Sequence, residues 1–275
     1  MPRRSLAVLA FLPLLAGALD AQPADTTKIS TKPLFTRKDA YMAVAFLATT
    51  AALTPLDERL AQRLQDSTLQ ANRIFGDLAT GVEYITAPGA FIIGGTMYAI
   101  GRLGGNERLA DLGWHGTEAV LVGTAVYSLG KGLFGRARPE TVDASDARAF
   151  QLGRGFGGGA YASFPSGHTT TAFAAAAAVT SETSRWWPKS TWIVAPVMYG
   201  GATSVGLSRM YHNKHWGSDV VMGALLGTFA GLKVVQYHHS HPNNRLDRWM
   251  LGKTRVAMLP TGEALAMVVI PLNPE

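Results

Sequence analysis

Three short clusters contain the residues best suited to chemistry on an anion. The first runs from Lys131 to Pro139 and includes Arg138. Lys131 and Arg138 are seven positions apart, so on a helix they lie on one face, two turns from each other, and Pro139 ends that helix. An ammonium and a guanidinium group beside a chain break predict an oxyanion clamp. A basic helix end that complements its own dipole has the same composition, so both interpretations stay open.

The second cluster is the stretch from Phe164 to His168, which an apolar segment follows at once. Ser166 is predicted to cap a helix whose first amides point outward, and such an end binds phosphate. Gly167 would let the backbone approach a ligand closely. His168 would then lie beside a bound anion, stay protonated and act as an acid. The alternative is a capped helix with an incidental histidine.

The third cluster contains Ser208, Arg209, His215 and Asp219. His215 and Asp219 are four positions apart, one helical turn, so the carboxylate is expected to hold one imidazole nitrogen. The other nitrogen would then be a basic nucleophile. Arg209 adds a third cation. A surface hydrogen bond between the histidine and the aspartate is the competing interpretation.

Taken together, the clusters resemble the type-2 phosphatidic acid phosphatase superfamily, which includes bacterial acid phosphatases and vanadium haloperoxidases. The family pattern is K-x6-R-P, then P-S-G-H, then S-R-x5-H-x3-D, and the chain matches every specified position in that order. The resemblance covers roughly residues 55–236. It implies a phosphatase without metal or other cofactor that acts through a phosphohistidine.

The resemblance also implies a role for each matched residue. His215, oriented by Asp219, would attack phosphorus, and His168 would protonate the leaving oxygen. The remaining matched residues would bind the phosphate, and they are Lys131, Arg138, Ser166, Gly167 and Arg209.

The elements around these clusters are predicted to be helices. Six apolar segments are too long for buried strands, and they cover residues 40–56, 84–101, 115–131, 167–181, 190–208 and 218–236. Asp57–Gly81 is predicted as one amphipathic helix, and a turn at Pro260–Gly262 predicts a β-hairpin. The expected fold is an all-α bundle with a small C-terminal hairpin. In an up-down bundle all three clusters fall at the same end.

The expected domain organisation has four parts. Arg3 and Arg4 precede a short apolar stretch and small residues, which indicates a signal peptide over residues 1–21. A polar linker follows at 22–39, then the bundle at 40–240 and a tail at 241–275 that holds the hairpin.

Composition narrows the classes of function. Hydrophobic residues make up 47% of the chain and charged residues 16%, which excludes a disordered protein. The absence of cysteine excludes disulfides and thiolate chemistry. A net charge of +6 suits an anionic partner, but without a dense basic run we expect no nucleic acid. The expected partner is a phosphorylated lipid or small molecule, and the oligomeric state stays open.

The predicted location is the bacterial cell envelope. Charge-free runs at 84–101 and 190–208 approach the length that a bilayer requires, so membrane association is favoured, with a soluble periplasmic protein as the alternative. Lys and Arg are more numerous at the end opposite the clusters, which places the pocket in the periplasm. A cleaved signal peptide followed by six full spans would instead place the pocket in the cytoplasm. That combination is therefore incompatible with a periplasmic pocket.

Several other features receive weaker interpretations. Gly153–Gly158 matches a dinucleotide pattern, but no strand precedes it, and a flexible flap with Arg154 near substrate fits better. His212 is treated as a loop residue. His115 and Glu118 are expected at the wet end of a helix. Solvation after a helix end, rather than metal binding, is expected for His238, His239 and His241.

The favoured hypothesis is therefore a phosphatase for monoesters or pyrophosphates, with a lipid-borne phosphate as the expected substrate. A vanadate-dependent haloperoxidase is the alternative enzyme, because the same cradle binds vanadate. A non-catalytic envelope protein that binds phosphate or lipid headgroups is the third hypothesis.

Overall fold

The chain forms a helical bundle, which confirms the all-α prediction. The computed structural model describes residues 33–84, 86–241, 244–251, 254–258 and 264–268. The helices are α1 (Arg37–Leu53), α2 (Asp57–Leu64), α3 (Ser67–Gln70), α4 (Arg73–Glu83), α5 (Ala87–Leu103), α6 (Glu107–Phe134), α7 (Gly167–Trp186), α8 (Thr191–Tyr211), α9 (Gly217–Ser240) and α10 (Arg245–Met250). The six predicted apolar segments correspond to α1 and α5 to α9.

Helix α7 lies at the centre of the bundle and packs against α6, α8 and α9. Its buried face is rich in alanine and threonine, and α9 presents glycines at every fourth position, Gly223, Gly227 and Gly231. A Cβ at Gly227 would overlap with the Thr170 carbonyl oxygen. The two backbones therefore approach closely, as they do where small residues line a helix contact.

The segment predicted as one amphipathic helix is instead three, α2, α3 and α4. Asp66 caps α3 by accepting a hydrogen bond from the Thr68 amide at 2.9 Å. Asn72 caps α4 by accepting one from the Ile74 amide at 3.1 Å. Both side chains compete with helical carbonyls for backbone amides, which interrupts the helix although the apolar spacing continues.

The loop after α6 folds back on that helix. Gly135 ends α6 with a φ of +55°, a left-handed conformation that favours glycine. A Cβ at Gly155 would overlap with the Lys131 carbonyl oxygen, so the glycine-rich segment rests directly on the last turns of α6. It is a packed turn rather than the predicted flexible flap, because Gly155 removes the side chain that would hold it away.

At the opposite end of the bundle, the predictions for His115 and His238 are wrong. Their side chains are 3% and 1% exposed, so neither is solvated. His115 Nδ1 lies 2.5 Å from Glu182 Oε1, and His238 Nε2 lies 2.6 Å from Glu118 Oε2. These pairs could not be predicted from local sequence, because their members are 67 and 120 positions apart.

The region after α9 contains a short helix and two strands. Tyr98 donates a hydrogen bond to the Met250 carbonyl at 2.6 Å, which holds α10 against α5. Strands β1 (Thr254–Met258) and β2 (Ala264–Val268) pair antiparallel with Val256 opposite Ala266. The turn at residues 259–263 lies outside the described residues, as do the signal peptide and most of the linker. The hairpin and the domain boundaries therefore stay predictions.

Two helical stretches of the described chain are long and apolar enough to cross a membrane by length and composition. They are Arg37–Leu64 and Gly217–Ser240. Half of the apolar window of Gly217–Ser240 is buried inside the bundle, as in a core helix. The predicted runs at 84–101 and 190–208 are not among them, since α5 has only 17 residues and α8 is diluted by polar and small residues.

Candidate active site

Four helix ends bring the three clusters together. Lys131 lies near the end of α6, His168 at the start of α7, Arg209 at the end of α8 and Asp219 at the start of α9. Lys131 interacts electrostatically with Arg138, Asp219 and Arg209. His168 interacts with Arg209, Lys131 and Arg138, and His215 with Lys131 and Arg209. The predicted residues therefore share one electrostatic environment at one end of the bundle.

His215 is buried in the loop that precedes α9, not on the helix itself. Its Nδ1 lies 3.7 Å from Asp219 Oδ2, which is longer than a hydrogen bond, so the predicted direct bond is absent. The geometry differs because Trp216 is extended and caps α9, which shifts His215 off the helical turn. Burial lowers the pKa of His215 to about 3, so the imidazole is neutral at pH 7.

Asp219 is fully buried and held by three donors. Its Oδ2 accepts hydrogen bonds from the Trp216 amide at 2.9 Å and from Ser163 Oγ at 2.5 Å. Its Oδ1 accepts one from an Arg136 Nη1 at 2.5 Å. A carboxylate with this many donors has a fixed orientation beside the His215 ring.

The three predicted phosphate-binding cations are partly committed to other partners. Arg209 Nη1 lies 2.7 Å from Glu83 Oε2, and Arg138 Nη1 lies 3.7 Å from Glu140 Oε1. The Lys131 ammonium donates to the Ala162 carbonyl. The Nε atoms of Arg138 and Arg209 are buried and have no hydrogen-bond partner among the described residues. Two guanidinium donors are therefore left for an anion.

The second cluster differs in detail from its prediction. Ser166 occupies the N-cap position of α7, but its hydroxyl lies 2.8 Å from Thr169 Oγ1 and caps no amide. Gly167 is required by packing, since a Cβ there would lie 2.8 Å from the Tyr127 ring. Burial lowers the pKa of His168 to about 4, so the free imidazole is neutral rather than protonated.

His212, predicted as a plain loop residue, is linked to the site through the carboxylate of Glu83. Its Nδ1 lies 2.7 Å from Glu83 Oε1, while the other oxygen of Glu83 pairs with Arg209. Glu83 therefore joins α4 to the third cluster.

Comparison with known proteins agrees with this arrangement. A family model described as the PAP2 superfamily matches residues 113–242. The match covers somewhat less than half of the chain and includes all three clusters, so over these residues the chain is similar to the PAP2 superfamily. A lipid A 1-phosphatase of Porphyromonas gingivalis is 37% identical over 106 residues, which is 38% of this chain and 19% of that protein. The chain therefore matches about a fifth of the length of this curated relative.

A solved structure supports the fold. The crystal structure of a transmembrane PAP2-type phosphatidylglycerolphosphate phosphatase from Bacillus subtilis aligns with a TM-score of 0.53 and 20% identity. It covers 76% of this chain and 99% of that one. At this identity the match describes the architecture of a PAP2 bundle, not its substrate.

Four residues that hold the candidate site in place were given no role in the sequence analysis, namely Arg136, Ser163, Asp57 and Glu83. Arg136 lies between Lys131 and Arg138, so a third cation in the first cluster was a visible signal. Asp57 and Glu83 precede residues 113–242 and carry no local signal, since their side-chain partners are 79 residues away or more.

Proposed function

We propose that the protein is a phosphatase that hydrolyses phosphate monoesters or pyrophosphates, with lipid phosphates as substrates and without a catalytic metal. One observation carries the proposal. Arg138 and Arg209 each leave a buried Nε donor without a partner among the described residues, at the end of the bundle that holds the neutral, buried His215. A tetrahedral phosphate supplies acceptors for such donors and an electrophile for an unprotonated imidazole.

The proposed reaction has two steps. His215 attacks phosphorus through the nitrogen that faces away from Asp219, a P–N bond forms, and the bond to the leaving oxygen breaks. His168 gives that oxygen a proton. Bound phosphate raises the proton affinity of His168, which is neutral in the free site, so substrate and proton arrive together. Water then attacks the phosphohistidine, His168 takes the proton, and phosphate leaves with His215 neutral.

Asp219 and Arg209 have supporting parts in this scheme. Asp219 lies 3.7 Å from His215 Nδ1 and stabilises the positive charge that the ring acquires when its other nitrogen bonds phosphorus. Arg209, Arg138 and Lys131 balance the charge on the phosphoryl oxygens, the part that metal ions play in other phosphoryl-transfer enzymes. The amide of Gly167 and the Ser166 hydroxyl complete the proposed cradle.

Exposed apolar surface supports a lipid substrate. Helices α5, α6 and α8 expose large apolar side chains that are unfavourable in water and favourable against acyl chains. These side chains are Ile92, Ile93, Ile100, Leu129, Leu133, Trp192, Ile193 and Val197. The two similar proteins are phosphatases of lipid A and of phosphatidylglycerolphosphate, both lipids. We therefore propose membrane association. The larger number of Lys and Arg residues at the opposite end supports a site that faces the periplasm.

The catalytic part is tested with the purified full-length protein in detergent and a chromogenic phosphate ester. We expect turnover that persists in EDTA, and an acid-labile phosphoenzyme when labelled substrate is quenched in base. His215→Asn should abolish both signals, whereas the matched control His241→Asn, far from the site, should keep them. Activity that disappears with the chelator, or a phosphoenzyme that survives in the His215 variant, would contradict the mechanism.

The substrate class is tested by comparing a lipid phosphate in mixed micelles with a water-soluble ester at equal concentration. A kcat/KM at least about tenfold higher for the lipid is expected, because burial of acyl chains adds binding energy. Equal values would remove the lipid part of the proposal and leave the phosphatase part intact.

The orientation is testable because the chain lacks cysteine. Leu152 lies in the loop at the site end and is 82% exposed, and Leu103 ends α5 at the other end and is 73% exposed. We expect a membrane-impermeant thiol reagent to label Leu152→Cys in intact cells and to label Leu103→Cys only after permeabilisation. The reverse pattern would place the site in the cytoplasm.

A further inference from the structure

The end of the bundle opposite the active site holds three ligand-type atoms that converge. They belong to His115 of α6, His238 of α9 and Asp247 of α10, and one ligand atom of each residue lies within 4.8 Å of the other two. His115 Nε2 lies 3.7 Å and His238 Nδ1 2.6 Å from Asp247 Oδ1. Both histidine side chains are more than nine-tenths buried.

Few groups outside the cluster contact these converging atoms. Across the described ranges, His115 Nε2 is buried without a hydrogen-bond partner, the close neighbours of Asp247 Oδ1 are the two imidazole nitrogens, and His238 Nδ1 also lies 3.4 Å from Asn244 Nδ2. A buried polar atom that lacks a partner, as His115 Nε2 does, is unfavourable. The arrangement therefore points to something that binds them.

A second layer of carboxylates sets the orientation of both rings. His115 directs its other nitrogen, Nδ1, at Glu182 Oε1 at 2.5 Å, and His238 directs Nε2 at Glu118 Oε2 at 2.6 Å. Each carboxylate accepts the ring proton, which leaves a lone pair on the converging nitrogen. Histidines that ligate metals are held in this way. Asn244 holds the remaining oxygen of Asp247 at 2.7 Å.

Charge balance leads to the same conclusion. Two imidazole lone pairs and a carboxylate cannot face one another at these distances without a positive charge between them. Either extra protons on one or both rings supply that charge, and the 2.6 Å approach of His238 Nδ1 to Asp247 Oδ1 is short enough for one of them, or one divalent cation lies at the centre. A cation satisfies all three atoms at once, whereas extra protons leave His115 Nε2 pointing at an oxygen 3.7 Å away.

We propose that His115, His238 and Asp247 bind one divalent transition-metal ion of the zinc class. Imidazole ligands favour such ions over Mg²⁺ and Ca²⁺, which prefer oxygen. Tetrahedral zinc with bonds of about 2.0–2.1 Å places its ligand atoms about 3.3 Å apart. The distances from Asp247 Oδ1 to the two imidazole nitrogens, 2.6 and 3.7 Å, lie on either side of that value. The two rings stack with centroids 4.1 Å apart, so one ring must tilt for both lone pairs to meet at the ion.

The ion would have a structural role. His115 and Lys131 are separated by 16 positions on α6, which is about 24 Å along the helix axis, so the site is remote from the phosphate pocket. It would join α10 to α6 and α9, and Glu182 would extend the link to α7. The proposal is independent of the catalytic mechanism and consistent with activity in chelator.

Metal content of the full-length protein, purified in detergent without a histidine tag, tests the proposal. We expect about one zinc per chain by mass spectrometry of the elements, and after stripping with EDTA a rise in unfolding temperature of about 5–10 °C on adding excess Zn²⁺. His238→Asn and Asp247→Asn should each remove the bound zinc and the thermal shift. His241→Asn, outside the cluster, should retain both.

A neighbouring set, His115, Glu182 and His239, supplies the discriminating control. His239→Asn should keep zinc if the ion is bound by Asp247. Loss of zinc in His239→Asn with retention in Asp247→Asn would overturn the assignment. So would wild-type protein with no zinc above background and no thermal response, because two protonated imidazoles would then balance the carboxylates. Cobalt substitution reports the ligand set spectroscopically, so a poorly folding variant does not decide the outcome.

Discussion

Replacing Arg136 should destabilise the protein more than any other single change near the active site. The guanidinium is 1% exposed and makes five hydrogen bonds. Its Nη1 donates to Ser218 Oγ at 2.7 Å and to Asp219 Oδ1 at 2.5 Å, and its Nη2 donates to Asp57 Oδ2 at 2.8 Å. Nε and Nη2 donate to the Ala147 carbonyl at 3.0 and 2.6 Å. Arg136→Met removes all of these donors at similar volume.

The size of the effect follows from what is left behind. Asp57 and Asp219 are at most 1% exposed, so both carboxylates lose a buried countercharge. Removing one partner of a buried ion pair typically destabilises by about 3–5 kcal/mol. For a chain of this size 1 kcal/mol corresponds to about 2–4 °C, so the unfolding temperature should fall by about 6–20 °C.

A double-mutant cycle separates this effect from simple loss of packing. Thermal unfolding in detergent is followed by tryptophan fluorescence, and Trp216 packs on Arg136. Asp57→Asn removes one stranded charge and keeps an oxygen that can accept from the Ser218 amide. Added to Arg136→Met, it should restore about 1–3 kcal/mol.

Arg148→Met is the matched control, because Arg148 is an exposed arginine in the same loop. It should shift stability by no more than about 0.5 kcal/mol. The reasoning fails if Arg136→Met melts within about 2 °C of the wild type. It also fails if Asp57→Asn destabilises the Arg136 variant as much as it destabilises the wild type.

Three further predictions concern the site. His168→Gln should lower kcat about 10²–10⁴-fold on an alkyl phosphate, because His168 protonates the leaving oxygen. The loss should be far smaller on 4-nitrophenyl phosphate, whose leaving group needs no acid, and equal losses would exclude His168 as the acid. Glu83→Gln removes the carboxylate that pairs with Arg209 at 2.7 Å, so Arg209 is no longer held in position to bind phosphate. KM should rise about tenfold with a smaller change in kcat, and a loss in kcat alone would contradict this positioning role. Burial holds the pKa of His215 near 3 against about 6.5 unfolded, so native stability falls as pH drops below 6.5. Between pH 6.5 and 4.5 His215→Asn should lose about 2–3 kcal/mol less than the wild type, and parallel unfolding curves would contradict this.

Much of the bundle was predictable from local patterns. Apolar segments too long for buried strands predicted helices, and α1 and α5 to α9 lie where those segments do. The broken helix at 57–81 was missed because capping by Asp66 and Asn72 outweighed the apolar spacing. The order of the clusters also predicted that Lys131, His168 and Asp219 meet at one end, since alternate helix ends in an up-down bundle point the same way.

The sequence motifs were sufficient to select the candidate site residues, because residue types and spacings in a short motif can be recognised without a structure. Tertiary structure alone decided how those residues are held. The 3.7 Å gap between His215 and Asp219, the five bonds of Arg136 and the pairing of Glu83 with Arg209 all depend on contacts between distant parts of the chain. His115 and His238 show the same principle. A histidine near a helix end is expected to be solvated from sequence alone, but here neighbouring helices bury both side chains.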